Sequence, residues 1–302
     1  MIVPPYLKKA DTIGLTCPAG YMAAEKAQTC IDTLQAWGYK VIVGKRLGSD
    51  SANYFSGTDG ERAGELQDMM DNPLIKAILF GRGGYGMGRI IDQLNFKKFK
   101  KNPKWIIGFS DITVMHTHLF GQYKIASMHA PMAAAFNDEG FKNEYVQSLR
   151  TALKGNKGNY SCAPNRNNKL GSATGKLIGG NLALLANVIG TPSDFSTKNC
   201  ILFIEDIGEY LYNTDRMLYQ LKRSGKLEGI CGLIFGGFTD MKDTERPFGK
   251  TMDEILQDIS AGLTIPVCFQ FPVSHATENV ALKIGVTYNL IVGTKKVSLK
   301  EL

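Results

Sequence analysis

In WIIGFSDITVMHTHL, residues 105–119, an apolar run ends at Gly108-Phe109 and Ser110 opens a helical pattern. A serine at such a junction has two readings. It is an N-cap, with Asp111 favourable to the helix dipole, or it is a nucleophile displayed on a sharp turn beside free backbone N–H groups. The G-x-S-x-G elbow is not met, because position 112 is Ile, which excludes an ordinary α/β-hydrolase. A serine nucleophile needs a base, and the base needs an orienting acid. His116 and His118 follow Ser110 on its own helix and suit packing, while His129 ends a strand in SMHAPM. His275, in FPVSHATEN, closes an apolar strand and begins a polar loop. There a rigid strand holds a side chain and a loop displays it. ILFIEDIGE, at 201–209, offers Glu205, Asp206 and Glu209 after another strong strand; acids at a strand end also cap turns.

KAILFGRGGYGMGRIIDQL, at 76–94, adds a glycine loop. Gly81, Gly83 and Gly86 fit G-x-G-x-x-G, the dinucleotide fingerprint. That fingerprint normally follows the first strand, and an acid follows about 20 residues on. Here the loop follows the third strand pattern and only Asp111 roughly matches. The backbone chemistry remains: glycines at a strand's carboxyl end expose N–H groups that hold an anion or an oxyanion. Arg82 in this loop is a candidate for binding a substrate carboxylate, and an outward, solvated arginine reads equally well. Tyr85 and His129 are further substrate-contact candidates.

These residues sit in a regular alternation. Strand patterns at 12–18, 39–44, 76–81 and 104–109 alternate with helical patterns at 23–37, 61–72, 87–95 and 111–122. Such alternation predicts a parallel sheet covered by helices. LKGNKGNYSCAPNRNNKLGS, at 153–172, breaks it and reads as an exposed connection between domains. Strand patterns resume at 175–180, 200–206, 231–238, 266–273 and 280–286, then in NLIVG and KKVSLKEL, with helical patterns at 181–190 and 214–225. The closing strands lack helices between them, so the second domain reads as mixed and partly antiparallel.

The 302 residues suffice for two domains, and 44% apolar with 21% charged content is ordinary for a globular protein. No stretch reaches the roughly 20 apolar residues of a membrane span. MIVPPYLKKADTIGL lacks the layout of a secretory signal, so a cytoplasmic location is expected. The net charge of +7 is spread apart from NFKKFKKNPK at 95–104, which reads as a solvated connection and not a nucleic-acid site. No cysteine pair forms C-x-x-C; the six cysteines read as reduced thiols, and no zinc cluster is indicated.

GRGGYG, GFSD, FIEDIGEYLYNTDRML and FPVSHATEN, in that order, resemble the LD-carboxypeptidase family of serine peptidases. YFSGTDGERAGEL (54–66), SMHAPM (127–132) and GKLIGGNLALLANVIGTP (175–192) extend the resemblance over nearly the whole chain. It implies a Ser-His-Glu triad carried by Ser110, His275 and Glu205. Glu205 is preferred to Glu209 because it ends the strand. It implies an oxyanion hole from the backbone N–H groups of Gly84 and Asp111. The expected fold is α/β: a Rossmann-like N-terminal domain with a parallel sheet (1–160), carrying the nucleophile, and a smaller mixed α/β C-terminal domain (161–302), carrying acid and base. The implied reaction is hydrolysis of the L-to-D amide that links an L-centre diamino acid to terminal D-alanine in murein peptide, in cell-wall recycling. No metal or organic cofactor and no nucleic-acid or membrane partner is implied; a homodimer is. The alternatives are a microcin-type peptidyl-nucleotide hydrolase giving self-immunity, or a nucleotide-binding module without hydrolysis.

Overall fold

A computed structural model of the chain describes residues 1–137, 139 and 142–302. The strands, in chain order, are β1 (Thr12–Thr16), β2 (Lys40–Val43), β3 (Ile75–Phe80), β4 (Trp105–Gly108), β5 (Ser127–His129), β6 (Asn159–Cys162), β7 (Gly171–Asn181), β8 (Cys200–Ile207), β9 (Gly232–Thr239), β10 (Val267–Cys268), β11 (Leu282–Ile284), β12 (Thr287–Val292) and β13 (Val297–Glu301). TIGLT and WIIG are buried along their whole length, and IKAILF at all but one position. Near-continuous apolar runs of this kind belong to parallel strands covered on both faces. They form the centre of a sheet with order β2-β1-β3-β4-β5, parallel throughout, to which β11 adds antiparallel on β5. The order reverses between β1 and β3. At such a switch point the loops leaving the carboxyl ends part and open a crevice. The loop after β1 is CPAG, the loop after β3 is GRGGYG, and Ser110 follows β4.

The second sheet has the order β10-β9-β8-β7-β12-β13-β6. Its β7 to β10 half is parallel and its β12, β13 and β6 half antiparallel. The polar stretch 153–172, expected as a bare connection, contributes the edge strand β6. Lys169, in the β6–β7 connection, bridges Val267 of β10, so this connection returns to the opposite edge of the sheet.

The two sheets meet beside Ser110. The side chains of Met115, Leu119 and Phe120, on the helical segment after Ser110, share one apolar cluster with Leu182, Leu185 and Phe203 of the second unit. Gly180 allows the close approach: a Cβ there would lie 2.5 Å from Thr113 Oγ1, and the next residue, Asn181, donates its N–H to that oxygen at 3.2 Å. The chain also crosses back. β10 lies in the second sheet and β11 in the first, so the segment between them, which carries His275, is strung from one sheet to the other.

Candidate active site

Ser110 has φ 62°, in the left-handed region. A residue with a side chain pays about 1–3 kcal/mol for such strain, which persists where surroundings enforce it and recurs at functional sites. Its Oγ donates to His275 Nε2 at 2.8 Å, and His275 Nδ1 donates to Glu205 Oε2 at 2.6 Å. Three residues from β4's end, β8 and the crossing segment thus form one hydrogen-bonded chain. The Phe109 ring stands edge-on to the imidazole at 4.9 Å and limits its swing. The Glu205 side chain is fully buried and that of His275 is 11% exposed. Burial raises the Glu205 pKa, and the His275 hydrogen bond opposes the rise. A carboxylate short of solvation gains most when a positive imidazolium forms beside it.

The other acids of IEDIGE have separate work. Asp206 accepts from Asn181 Nδ2 at 2.6 Å and from the N–H groups of Ala183 and Ile207, so it fixes the start of the helix Leu182–Asn187. Burial pushes it up to about 6. Glu209 is half-buried and accepts from Asn213 Nδ2 in the following turn.

The glycine loop lies against the serine. A Cβ on Gly83 would sit 3.2 Å from Ser110 Oγ and 3.4 Å from the Asp111 nitrogen. Gly84 has φ 101°, a conformation that suits glycine. The Asp111 carboxylate, buried and pushed up to about 6, accepts from the Met87 N–H at 2.7 Å and so ties the loop's end to the serine turn.

Two cavities flank the Ser110–His275 pair. One, of about 400 Å³, is lined by Tyr21, Lys26, Gly83, Gly84 and Ser110; the other, of about 390 Å³, by Asn143, Tyr145, Thr277 and Asn279. Arg82, Phe109 and His275 border both. Arg82 donates to the Tyr21 carbonyl at 3.0 Å. Two of the sequence-derived substrate candidates lie elsewhere. Tyr85 is exposed and packs on Phe55. His129 is wholly buried, because β5 has β4 on one side and β11 on the other, and its Nε2 meets Asn279 Oδ1 at 3.1 Å. Sequence reading also missed Arg62, Lys26 and Asn279. Arg62 and Asn279 sit inside the motifs ERAGEL and HATEN, but no spacing marks them. Among the described residues no group of three His, Cys, Asp or Glu side chains is placed to hold a metal ion, and no helix is long and apolar enough to cross a membrane.

A hydroxyl bonded to a carboxylate-backed imidazole, at the junction of two α/β units, is hydrolase geometry. The comparisons give the family. The LD-carboxypeptidase N-terminal domain matches residues 13–130 and the LD-carboxypeptidase C-terminal domain matches residues 174–290. The chain is 34% identical to a Bacillus subtilis protein named "Probable murein peptide carboxypeptidase", over 93% of this chain and 89% of that one. It is 26% identical to the Escherichia coli "Microcin C7 self-immunity protein MccF", over 98% and 94%. The crystal structure of muramoyltetrapeptide carboxypeptidase from Oxalobacter formigenes superposes with a TM-score of 0.86 at 28% identity, over 96% and 98%. The chain belongs to the LD-carboxypeptidase family of peptidases.

Proposed function

We propose that this chain is a serine-type LD-carboxypeptidase that removes the terminal D-alanine of murein tetrapeptide by cutting the L-to-D amide after an L-centre diamino acid. The observation that carries this reading is the Ser110–His275–Glu205 chain, with spacings of 2.8 and 2.6 Å, facing the glycine loop. The named activities of the Bacillus and Oxalobacter relatives supply the substrate class.

Ser110 Oγ attacks the amide carbonyl as His275 Nε2 takes its proton, and Glu205 steadies the imidazolium through Nδ1. The N–H groups of Gly84 and Asp111 receive the developing oxyanion, each worth on the order of 3 kcal/mol. His275 then protonates the departing D-alanine amine, and water repeats the cycle on the acyl-enzyme. Arg82 and Lys26 are the lysine and arginine side chains lining the two cavities among the described residues. We assign to Arg82, which borders both, the carboxylate that distinguishes a chain end from an internal peptide bond. The unit up to about residue 160 carries the nucleophile and the remainder carries acid and base. The setting we propose is murein recycling in the cytoplasm, by a homodimer.

Incubation with murein tetrapeptide, followed by chromatography of released amino acids, tests the reading. D-alanine and tripeptide are expected from the native chain, and neither from Ser110→Ala. No release from the tetrapeptide, with turnover of an aminoacyl nucleotide, would replace the substrate class and keep the chemistry. Turnover retained by Ser110→Ala would overturn the serine mechanism itself.

A further inference from the structure

Where the Gly84 N–H points depends on one peptide plane. The Gly83–Gly84 peptide has glycine on both sides, so little steric resistance opposes its turning over. In a trans peptide the C=O and N–H point in opposite directions. The Gly83 carbonyl accepts from the Gly20 N–H at 3.2 Å. That bond turns the Gly84 N–H away from Gly20, and Gly83, Gly84 and Ser110 line one cavity together. The Gly20 bond therefore spans the switch-point crevice, from the loop after β1 to the loop after β3.

Gly20 is itself held. The Ser56 hydroxyl donates to the Cys17 carbonyl, and the Ser56 N–H donates to the Ala19 carbonyl at 3.1 Å. Between them, Arg62 Nη1 donates to the Pro18 carbonyl at 2.5 Å. The same nitrogen donates to the Gly86 carbonyl at 3.2 Å, at the far end of the glycine loop. Arg62 Nε donates to the Gly57 carbonyl at 3.2 Å, and Asp59 takes Nη2 and supplies the counter-charge. The Arg62 side chain has no exposed surface. One buried cation thus grips the loops on both sides of the crevice. A lysine in its place would carry the charge without the planar fork that reaches several carbonyls at once.

We infer that Arg62 and the Gly20 N–H form a positioning device for the oxyanion hole. Neither group needs to touch substrate. Arg62 sets the Cys17–Gly20 turn and the end of the glycine loop, Gly20 holds the Gly83 carbonyl, and the Gly84 donor is aimed before substrate arrives. The inference rests on the serine-peptidase reading above. It requires that loosening the device harm the transition state more than the bound substrate, because an oxyanion donor acts where charge develops.

The test uses Arg62→Lys and Gly20→Ala in the full chain. The alanine Cβ would stand 3.1 Å from the Gly83 oxygen and push that carbonyl off its donor. It would also stand 3.3 Å from Arg82 Nε, so in this variant KM and reduced-peptide affinity report on the carboxylate contact, and the boronate, which lacks that carboxylate, reports on the donor. Each variant is measured for kcat and KM on tetrapeptide. Each is also measured for affinity toward a peptidyl boronic acid, which mimics the tetrahedral adduct, and toward the same peptide with the scissile amide reduced to an amine. The expected result is a kcat lower by roughly 10²-fold, in the range for losing one oxyanion donor. Boronate affinity should fall by a similar factor, and in Arg62→Lys KM and reduced-peptide affinity should stay within about threefold, since uniform binding is untouched. Unchanged kcat and boronate affinity in folded variants overturns the inference, as does an equal loss for both ligands in Arg62→Lys. Should Arg62→Lys fail to fold, Gly20→Ala decides alone, by kcat and boronate affinity. Ser110→Ala, run in parallel, separates the two ideas. If it retains turnover, the serine reading fails. If it is inert while the two variants match the native chain, only the positioning device fails.

Discussion

Three acids crowd into the five residues from Glu205 to Glu209, in β8 and its turn, and only one meets the imidazole. Glu205 is held by the sheet at full burial, whereas Glu209 depends on a turn and binds Asn213. Glu205→Gln should therefore preserve the shape and favour the wrong imidazole tautomer, with kcat lower by about 10³–10⁴-fold, as when a triad acid becomes an amide. Glu209→Gln should be mild or act on KM. Steady-state kinetics of both variants on one peptide decides it; a dead Glu209→Gln beside an active Glu205→Gln moves the triad acid to Glu209. Ser110, His275 and Glu205 were singled out because each lies where an apolar strand pattern gives way to polar residues, and the fold brings the three within hydrogen-bonding distance. The same signal misled at His129, where the strand end is covered by neighbouring strands on both sides. Arg62 gave no signal at all. A helical arginine reads as surface, and its burial follows from carbonyls at residues 18, 57 and 86 converging in space.

The elements hold these residues through short polar links that titrate. His116, on the helix after Ser110, contacts the Gly108 carbonyl at 2.8 Å and the Ser127 hydroxyl at 2.9 Å, and so joins the end of β4 to β5. Burial lowers its pKa from 6.5 to about 4. Unfolding frees an imidazole that binds a proton below 6.5. This group's contribution is therefore complete above pH 6.5 and is lost as the pH falls toward 4. By pH 5 the loss should reach about 2 kcal/mol. Urea unfolding at pH 7.5 and pH 5 measures it against His116→Gln, which does not titrate. The stability gap between the two proteins should narrow by that amount on acidification; a constant gap would mean that His116 charges within the folded state. The alternation of strand and helix made β1 to β4 readable. Three α-helices escaped: Lys97–Lys101, inside the stretch read as a solvated connection, Glu144–Leu153, and Met252–Ser260, although Thr251 and Glu254 form a capping box that announces the last. β6 escaped because its alternation, Asn159 and Ser161 outward against Tyr160 and Cys162, runs for only four residues inside a polar stretch.

At the scale of the molecule, catalysis by this arrangement requires that two separate sheets keep a fixed distance, since the serine belongs to one and the acid to the other. The sequence order of the strands does not reveal what keeps it, because sheet membership is decided by contacts far apart in the chain. β11 is the instance: it follows β10 of the second sheet yet pairs with β5 of the first. Lys283 on β11 reaches Glu301 on β13 at 2.9 Å, with both side chains almost wholly buried. The ammonium also donates to the Asn156 carbonyl at 3.1 Å and lies 4.6 Å from the Tyr6 ring centre, and Glu301 accepts from the Gly158 N–H at 2.8 Å. This pair ties the two sheets together just beyond the segment that carries His275. Removing one partner strands a buried charge, at a cost of about 3–5 kcal/mol, whereas replacing both with apolar groups avoids that cost. Glu301→Gln should therefore lower Tm by roughly 5–8 °C, and Lys283→Met with Glu301→Leu should recover much of it. Thermal unfolding of the three proteins measures the tie, and kcat at 25 °C reports whether it reaches His275. If Glu301→Gln melts with the native chain, the sheets are held by their apolar cluster and the Gly180–Thr113 approach, and the ion pair is incidental to the spacing of serine and acid.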